Sequence, residues 1–436
     1  MVARLRAAGF EALFAGGCVR DLLLEIEPGD FDVATSARAS EVEALFPRTV
    51  GVGAQFGVVK VLGESGDTEV ATFRSDGPYE DHRHPSEVHY SDARGDAARR
   101  DFTINGMFLD PETGRVDDYV GGRADLEAGR IRAIGDPDER FGEDRLRLLR
   151  GVRFAARFGF EIDEGTWQSM VRHASTIREI AWERIGDEIV KILLDGAARR
   201  GFELLDASRL LDAVLPEVAT MRGVEQPPDH HPEGDVFVHT LLCLEKLEPG
   251  GRHDAELALA VLLHDVAKPV CFDKSDDGRI RFFGHCERGA EMARDICRQL
   301  RRSGDTAEKV SWLIANHLRH MQAPDMRLST LKRFLGAPWI ESLLELVRID
   351  ASSGSGDLRT WRFCVDRLRE LSVDEVRPTP LIRGRDLIEL GYAPGPGFKE
   401  LLDEVLDAQL EGEVRDAETA RAWLVARYPL PKGSDS

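Results

Sequence analysis

The hydrophobic period of this 436-residue chain changes once, near residue 140, and that change limits what it can fold into. Before it, to about Gly135, short β-branched runs alternate in strand fashion. Val58-Val59-Lys60-Val61-Leu62 and Glu69-Val70-Ala71-Thr72-Phe73 are two such runs, with Gly66-Asp67 read as the turn between them. From Glu143 onward apolar residues recur at i, i+3 and i+4, as in Ile185, Ile189, Ile192 and Leu193, the period of a helix. The chain is too long for one core. An α+β fold is predicted, with a mixed β-sheet and helices first and an all-α remainder. Gln226-Pro227-Pro228-Asp229-His230-His231-Pro232-Glu233-Gly234 reads as a loop between helical units, and Ala393-Pro394-Gly395-Pro396-Gly397 sets off a last helical segment. The end, Pro429 to Ser436, is expected to fray. No internal repeat or low-complexity tract is evident.

Composition narrows the class. With 42% hydrophobic and 31% charged residues the chain reads as soluble and globular. No apolar run approaches the roughly 18 residues needed to cross a bilayer, and Met1 to Ala8 holds no apolar signal core. A cytoplasmic protein without a membrane partner is expected. The cysteines Cys18, Cys243, Cys271, Cys286, Cys297 and Cys364 form no Cys-x-x-Cys pair and read as reduced, mostly buried thiols, neither a disulfide framework nor a zinc site. The net charge of −20 argues against non-specific binding to nucleic acid. Local positive charge does exist. Arg145, Arg147, Arg150, Arg153 and Arg157 crowd one segment, and from Arg147 onward their spacing lines one helical face. A salt-bridged surface helix would look the same.

The chemistry concentrates in the first part. Gly16-Gly17-Cys18-Val19-Arg20-Asp21 precedes Asp30-Phe31-Asp32. Glycines let backbone approach a phosphate. Alternate strand residues point the same way, so Asp30 and Asp32 would share a face with Phe31 packed behind. Two adjacent carboxylates repel unless a hard cation lies between them, and Mg²⁺ favours carboxylates plus substrate phosphates. Arg99-Arg100-Asp101-Phe102-Thr103-Ile104-Asn105 offers guanidinium groups for triphosphate oxygens, with Asp101 and Asn105 as partners for ribose and phosphate. In isolation these could equally be a charged turn. Asp144 and Arg147 stand at i, i+3, where a fixed carboxylate–guanidinium pair could read a base edge or form a plain surface salt bridge.

Taken in order, Gly16-Gly17-x-Val19-Arg20-Asp21, Asp30-x-Asp32, Arg99 to Asn105, Asp118-x-x-Gly121-Gly122-x-x-Asp125-Leu126, Glu143-Asp144-x-x-Arg147 and Glu183-Arg184-Ile185 resemble the motif set of class II tRNA nucleotidyltransferases and bacterial poly(A) polymerases. The tail, Leu381 to Leu424, is similar to that family too. The resemblance implies a nucleotidyltransferase head (1–138), a helical neck that selects the nucleotide (139–200), a helical body (201–375) and a helical tail touching tRNA (376–436). It places Mg²⁺ on Asp30 and Asp32, with Glu69 a weaker third carboxylate. Gly16, Gly17, Arg20, Arg100, Asp101 and Asn105 would surround the nucleotide, Asp144 and Arg147 would template CTP or ATP, and Arg150 and Arg153 would contact triphosphate. Gly106, where the family more often has alanine, is expected to be a harmless departure. Arg74 to Pro85 resembles the family's flexible loop, which argues for CCA-adding or A-adding over CC-adding activity.

A second set lies further on. His239, the adjacent His264-Asp265 in an apolar helix from Leu257 to Ala267, and the distant Asp350 resemble the HD phosphohydrolase superfamily, with His285 and His317 able to complete a two-metal site. A divalent transition metal or Mn²⁺ suits this donor set. The resemblance leaves open a scaffold role or trimming of 2′,3′-cyclic or 3′-phosphate ends. The leading expectation is a tRNA nucleotidyltransferase acting on the tRNA 3′ end with ATP and CTP, without an obligate protein partner. Poly(A) polymerase, and an HD phosphohydrolase with an RNA-binding head, are the alternatives.

Overall fold

Strand alternation organises the first part of the chain in a computed structural model, which describes residues 1–51, 57–63, 66–77, 88–229, 231–247 and 253–430. Its strands include β1 (Ala12–Ala15), β2 (Val33–Thr35), β3 (Thr49–Val50), β4 (Val58–Gly63), β5 (Gly66–Thr72), β6 (Arg74–Asp76), β7 (Val88–Tyr90), β8 (Met107–Leu109) and β9 (Val116–Asp118). Seven form one mixed sheet in the order β3-β4-β5-β2-β1-β8-β9. Only β2 and β5 run parallel, with Val33 opposite Val70; the other pairs are antiparallel. Val59 and Val61 alternate into the core beside Val33, Val42 and Val70, while Leu13, Ala34, Phe73 and Phe108 form a second cluster.

The helices of this part are α1 (Val2–Ala7), α2 (Gly17–Leu23), α3 (Ala39–Leu45), α4 (Ala93–Ala98), α5 (Gly122–Glu127), α6 (Pro137–Glu143), α7 (Leu146–Phe158), α8 (Glu164–His173) and α9 (Trp182–Leu194). Their ends follow local chemistry. Asp136 caps α6 ahead of Pro137, Asp163 caps α8, and Gly159, with φ at +68°, closes α7 in the left-handed conformation. Ile185, Ile189, Ile192 and Leu193 are all buried, as their spacing predicts. The α+β class stands.

Two local expectations need correction. Gly66 and Asp67 are not the turn but the first residues of β5, paired with Gly63 and Leu62, because the hairpin closes within two residues. Arg74–Asp76, the start of the expected mobile loop, pairs with Val88–Tyr90; the rest of that segment, Pro78 to Pro85, lies outside the described residues. Gly106 suits its place, since a Cβ there would lie 2.6 Å from Val120 Cγ2 and 3.1 Å from Ile134 Cδ1.

The chain divides into two compact units. Met1–Arg222, Leu244–Ala258 and Ile296–Ser303 form one; Gly223–Cys243, Leu259–Asp295 and Gly304–Ser436 form the other. The second is helical apart from the short pair Asp273–Lys274 and Ile280–Arg281. Near its end, Leu387, Val405, Ala408, Ala420 and Leu424 build a separate apolar cluster. Among the described residues no helix is long and apolar enough to cross a membrane.

Two glycines test this packing. A Cβ at Gly122 would lie 2.2 Å from the Thr103 carbonyl oxygen, whereas one at Gly142, inside α6, meets nothing within 4 Å. Gly122→Ala should destabilise the first unit by about 1–3 kcal/mol. Gly142→Ala should leave it unchanged or stabilise it by roughly 0.5–1 kcal/mol. Chemical denaturation of both variants measures the contrast.

Candidate functional site

At the end of β1 the chain turns through Gly16, whose φ of +76° favours glycine, straight into α2. A side chain there is also excluded by space, because a Cβ would lie 2.7 Å from Arg100 Nη1. Arg20, on the first turns of α2, is buried. Its Nε donates to Asp21 Oδ1 at 2.7 Å and its Nη1 to Asn105 Oδ1 at 2.7 Å. Asn105 in turn donates from Nδ2 to Asp101 Oδ1 at 3.0 Å. The other oxygen of Asp101 accepts from Arg150 Nε at 2.8 Å and sits 2.6 Å from its Nη2. The chain Asp21–Arg20–Asn105–Asp101–Arg150 thus ties α2, the 3₁₀ turn Thr103–Asn105 and α7 together. Burial opposes the charge of Asp101, but Arg150 and the Asn105 amide outweigh it and hold the carboxyl well below its usual range. Both carboxylate oxygens are occupied by the chain's own donors, so Asp101 acts here as an organiser.

Asp30 and Asp32 lie in the extended segment leading into β2 rather than inside it, and Ala15 donates its N–H to the Asp32 carbonyl. Phe31 does not pack behind them: it is 38% exposed, resting one edge against Phe14 with ring centroids 5.1 Å apart. Asp32 is pushed up to about 6 by burial, then by Asp30 and Glu69, with only Arg100 opposing. The three carboxylates therefore share one field, and their like charge is what a divalent cation would relieve.

The arginine face of α7 is real but internally neutralised. Arg147 lies 2.5 Å from Glu143 Oε2 and donates to the Arg99 and Arg140 carbonyls; Arg153 pairs with buried Glu188 at 2.8 Å; Arg145 pairs with Glu179. Arg157 approaches Asp21 at 3.8 Å. Asp144 and Arg147 are not one paired unit. Asp144 sits between α6 and α7, outside either helix, and is gripped by Arg184 of α9 at 2.8 Å. Arg184 and Glu188 were not assigned roles from sequence, because their partners lie 40 and 35 positions away. Asp96 was also missed, although it stands i, i+3 and i, i+4 from Arg99 and Arg100 and pairs with both.

The second set comes together within the second unit. His239 and Cys243 are one turn apart on the helix Val236–Glu245, with the thiol 3.5 Å from His239 Nε2. That ring nitrogen is also 3.0 Å from Asp350 Oδ1, and Nδ1 is 2.6 Å from Glu233 Oε1. His264 and Asp265 lie just beyond the helix Ala255–Leu263, not inside a longer helix; Pro269 blocks continuation and His264 Nδ1 caps the Val261 carbonyl. His285 and His317 likewise place Nδ1 on the carbonyls of Phe282 and Ile314. In all three rings the backbone contact to Nδ1 leaves Nε2 for a metal ion, which would have to displace any proton held there. Ring centroids of His264 and His317 are 5.5 Å apart, and those of His285 and His317 are 5.4 Å apart.

Burial opposes protonation of His264, yet Asp265 beside it raises the imidazole to about 9, while His317 is lowered to about 4 by burial and by His264. His264 Nε2 and Asp265 Oδ2 are buried 3.2 Å apart, and Lys268 Nζ lies 2.7 Å from the same oxygen. Ligand atoms of His239, Cys243, His264 and Asp350 lie within 4.8 Å of one another, as do those of His285, Cys286 and His317, and of His231, Glu233 and His239. Cys243, read from sequence as a structural thiol, therefore belongs to a group that could hold an ion. Its i, i+4 spacing from His239 was the available signal.

Comparison with known proteins follows the same division. Residues 12–132 match the poly A polymerase head domain, 159–221 the probable RNA- and SrmB-binding site of polymerase A, and 236–349 the HD domain. The three matches follow one another along the chain in that order. Its similarity runs to proteins named CCA-adding enzyme: it is 43% identical over 211 residues to that of Limosilactobacillus fermentum (48% of this chain, 52% of the relative) and 42% identical over 213 residues to that of Streptococcus pyogenes (49% and 53%). The match spans about half the length of these curated relatives. Over 98% of this chain and 95% of the other, the structure resembles the Bacillus stearothermophilus CCA-adding enzyme in complex with CTP, at 27% identity and TM-score 0.75. A CCA-adding enzyme bound to ATP shares the fold at 19% identity and TM-score 0.63. The family resemblance carried by the motifs is borne out.

The network makes its own prediction. Arg150→Met should destabilise the first unit by about 2–3 kcal/mol, since it strips a charge-assisted bond from a buried carboxylate. Asp101→Asn should recover part of that loss in the double variant. The depressed carboxyl of Asp101 stabilises the fold above its unfolded value of about 4 and loses that contribution as pH falls further. The difference in unfolding free energy between wild type and Asp101→Asn should hold from pH 7 to about pH 4 and shrink only below that.

Proposed function

We propose that this chain is a tRNA nucleotidyltransferase that builds the 3′-terminal CCA, or completes its terminal A, from CTP and ATP. The observation that carries this is the field shared by Asp30, Asp32 and Glu69 beside the Gly16–Arg20 turn, a place built to receive cations and triphosphate together. Asp30 and Asp32, with Glu69 near, would hold Mg²⁺, which when bound neutralises charge developing on the transferring phosphoryl group. The RNA 3′-hydroxyl attacks the α-phosphate, and pyrophosphate leaves. The chain's own part is positioning: Gly16 leaves room for phosphate, and Arg20 and Arg100 face it with fixed guanidinium groups. The buried Asp101–Asn105 pair keeps that wall rigid. Asp144, clamped by Arg184, and Arg147, clamped by Glu143, each present a base-reading group held by its own partner. The head at 1–138 would carry the chemistry, 139–200 the nucleotide choice, 201–375 the HD centre and 376–436 the tRNA contact. The relatives' names and the CTP and ATP complexes support this reading.

We infer further that the histidine cluster holds a divalent transition metal or Mn²⁺ on His239, His264, Asp265 and Asp350, with His285 and His317 available for a second ion. The ligand atoms of His239, Cys243, His264 and Asp350, all within 4.8 Å of one another, support it.

An assay with three acceptors tests the head: tRNA lacking CCA, tRNA ending in its two cytidines, and oligo(A), with CTP and ATP offered separately. C incorporation on the first identifies CCA addition; ATP use only on the second identifies A addition; long tails on oligo(A) identify a poly(A) polymerase. Asp30→Ala should lower every incorporation rate by at least a hundredfold with unchanged folding, and retained polymerisation would refute the site. For the cluster, elemental analysis should find metal in wild type and a loss in Asp265→Ala. Equal content in both would discard the assignment.

A further inference from the structure

The helix Val236–Glu245 is mostly apolar, yet one face of it carries His239 and, four residues on, Cys243. Both side chains are fully buried. A buried cysteine is most often a small apolar filler, and alanine or valine would fill that role equally well. The position of the sulfur argues otherwise. A tetrahedral ion bonded to sulfur at about 2.3 Å and to nitrogen at about 2.05 Å holds those two atoms roughly 3.5 Å apart. Cys243 Sγ lies 3.5 Å from His239 Nε2. Nitrogen and carboxylate oxygen on the same ion stand roughly 3.4 Å apart. His239 Nε2 and His264 Nε2 lie 3.0 and 3.9 Å from Asp350 Oδ1, on either side of that value. Glu233, 2.6 Å from Nδ1 of His239, orients the ring so that Nε2 faces the sulfur and Asp350. The four donors belong to three separate stretches of chain, so tertiary packing gathers them.

We propose that Cys243 is a direct thiolate ligand of the ion in the histidine cluster, and that its sulfur makes the site favour Zn²⁺ over Mn²⁺. This rests on the metal reading above and narrows it. Binding forms one metal–sulfur bond and releases the thiol proton to water. Soft thiolate sulfur suits zinc, whereas manganese is served best by carboxylate and water oxygen. Asp265 does not compete for the place. Its Oδ2 is shared with Lys268 at 2.7 Å and its Oδ1 faces His285 Nε2 at 3.7 Å, so it stands between the two ion positions. The other nearby thiol, Cys286, lies 3.7 Å from His285 Nε2 and belongs to the second position.

Cobalt(II) exchanged into the full chain reads the sulfur directly. Wild type should show a near-ultraviolet sulfur-to-cobalt charge-transfer band beside the visible cobalt bands. Cys243→Ser should keep the visible bands and lose the charge-transfer band, while Cys286→Ser keeps both. A charge-transfer band that survives in Cys243→Ser, or that vanishes in Cys286→Ser alone, would overturn the assignment and leave the metal reading intact. X-ray absorption of the zinc-loaded Cys286→Ser chain tests the same bond with Cys243 untouched. A sulfur neighbour at about 2.3 Å is expected, and a shell of nitrogen and oxygen only would overturn the proposal. Chelator competition should show Cys243→Ser weakening Zn²⁺ by roughly tenfold or more, since even an outer partner of a ligand is worth that much, and Mn²⁺ far less. Equal losses for the two ions would overturn the selectivity. Wild type that takes up no cobalt or zinc would overturn the metal reading as well.

Discussion

The first unit depends on a buried line of charge and hydrogen bonds. Arg20, Asp21, Asp101 and Asn105 are each less than a tenth exposed, and none could stay buried without the others. Their pairing fixes where α2 leaves the Gly16 turn and where the 3₁₀ turn meets α7. It thereby fixes the wall opposite the segment carrying Asp30 and Asp32. Phe154 and Phe158 lie under the guanidinium of Arg20 at 5.2 and 4.6 Å, so packing and charge constrain the same side chain.

The two sites treat charge in opposite ways. In the head, Arg99 and Arg100 pair with Asp96, and Arg150 with Asp101. Burial first, and then the like charge of Asp30 and Glu69, raise the carboxyl of Asp32, while Arg150 and Asn105 bring that of Asp101 down. In the histidine cluster the carboxylates dominate and draw protons onto His239 and His264. Protons and metal ions answer the same demand, so binding one releases the other. A chain of net charge −20 can therefore hold local sites of either sign.

Much of this was legible in the residues themselves. Gly16-Gly17, Asp30-x-Asp32 and the run Arg99 to Asn105 are contiguous motifs, and contiguous motifs fold into predictable turns and strand ends. His239, His264-Asp265 and Asp350 were legible as a set because their residue types are few and chemically distinctive. Pairings across the chain were not legible. Nothing local says that Asp144 meets Arg184 or that Asp101 meets Arg150, because those contacts follow from how helices pack. The i, i+3 spacing of Asp144 and Arg147 misled for the same reason: Asp144 falls in the break between two helices.

Periodicity alone determined that a mixed sheet comes first and helices follow, since alternation and the 3.6-residue repeat are properties of the local backbone. It also determined which residues could do chemistry. Tertiary structure alone decided which of them are free to do it. Packing turned most arginines of α7 inward to carboxylates, set Asp101 to organise its neighbours, and brought the Cys243 thiol up to His239. Burial is the physical reason: a side chain's charge and its partners depend on what surrounds it, and that is settled only when distant segments meet.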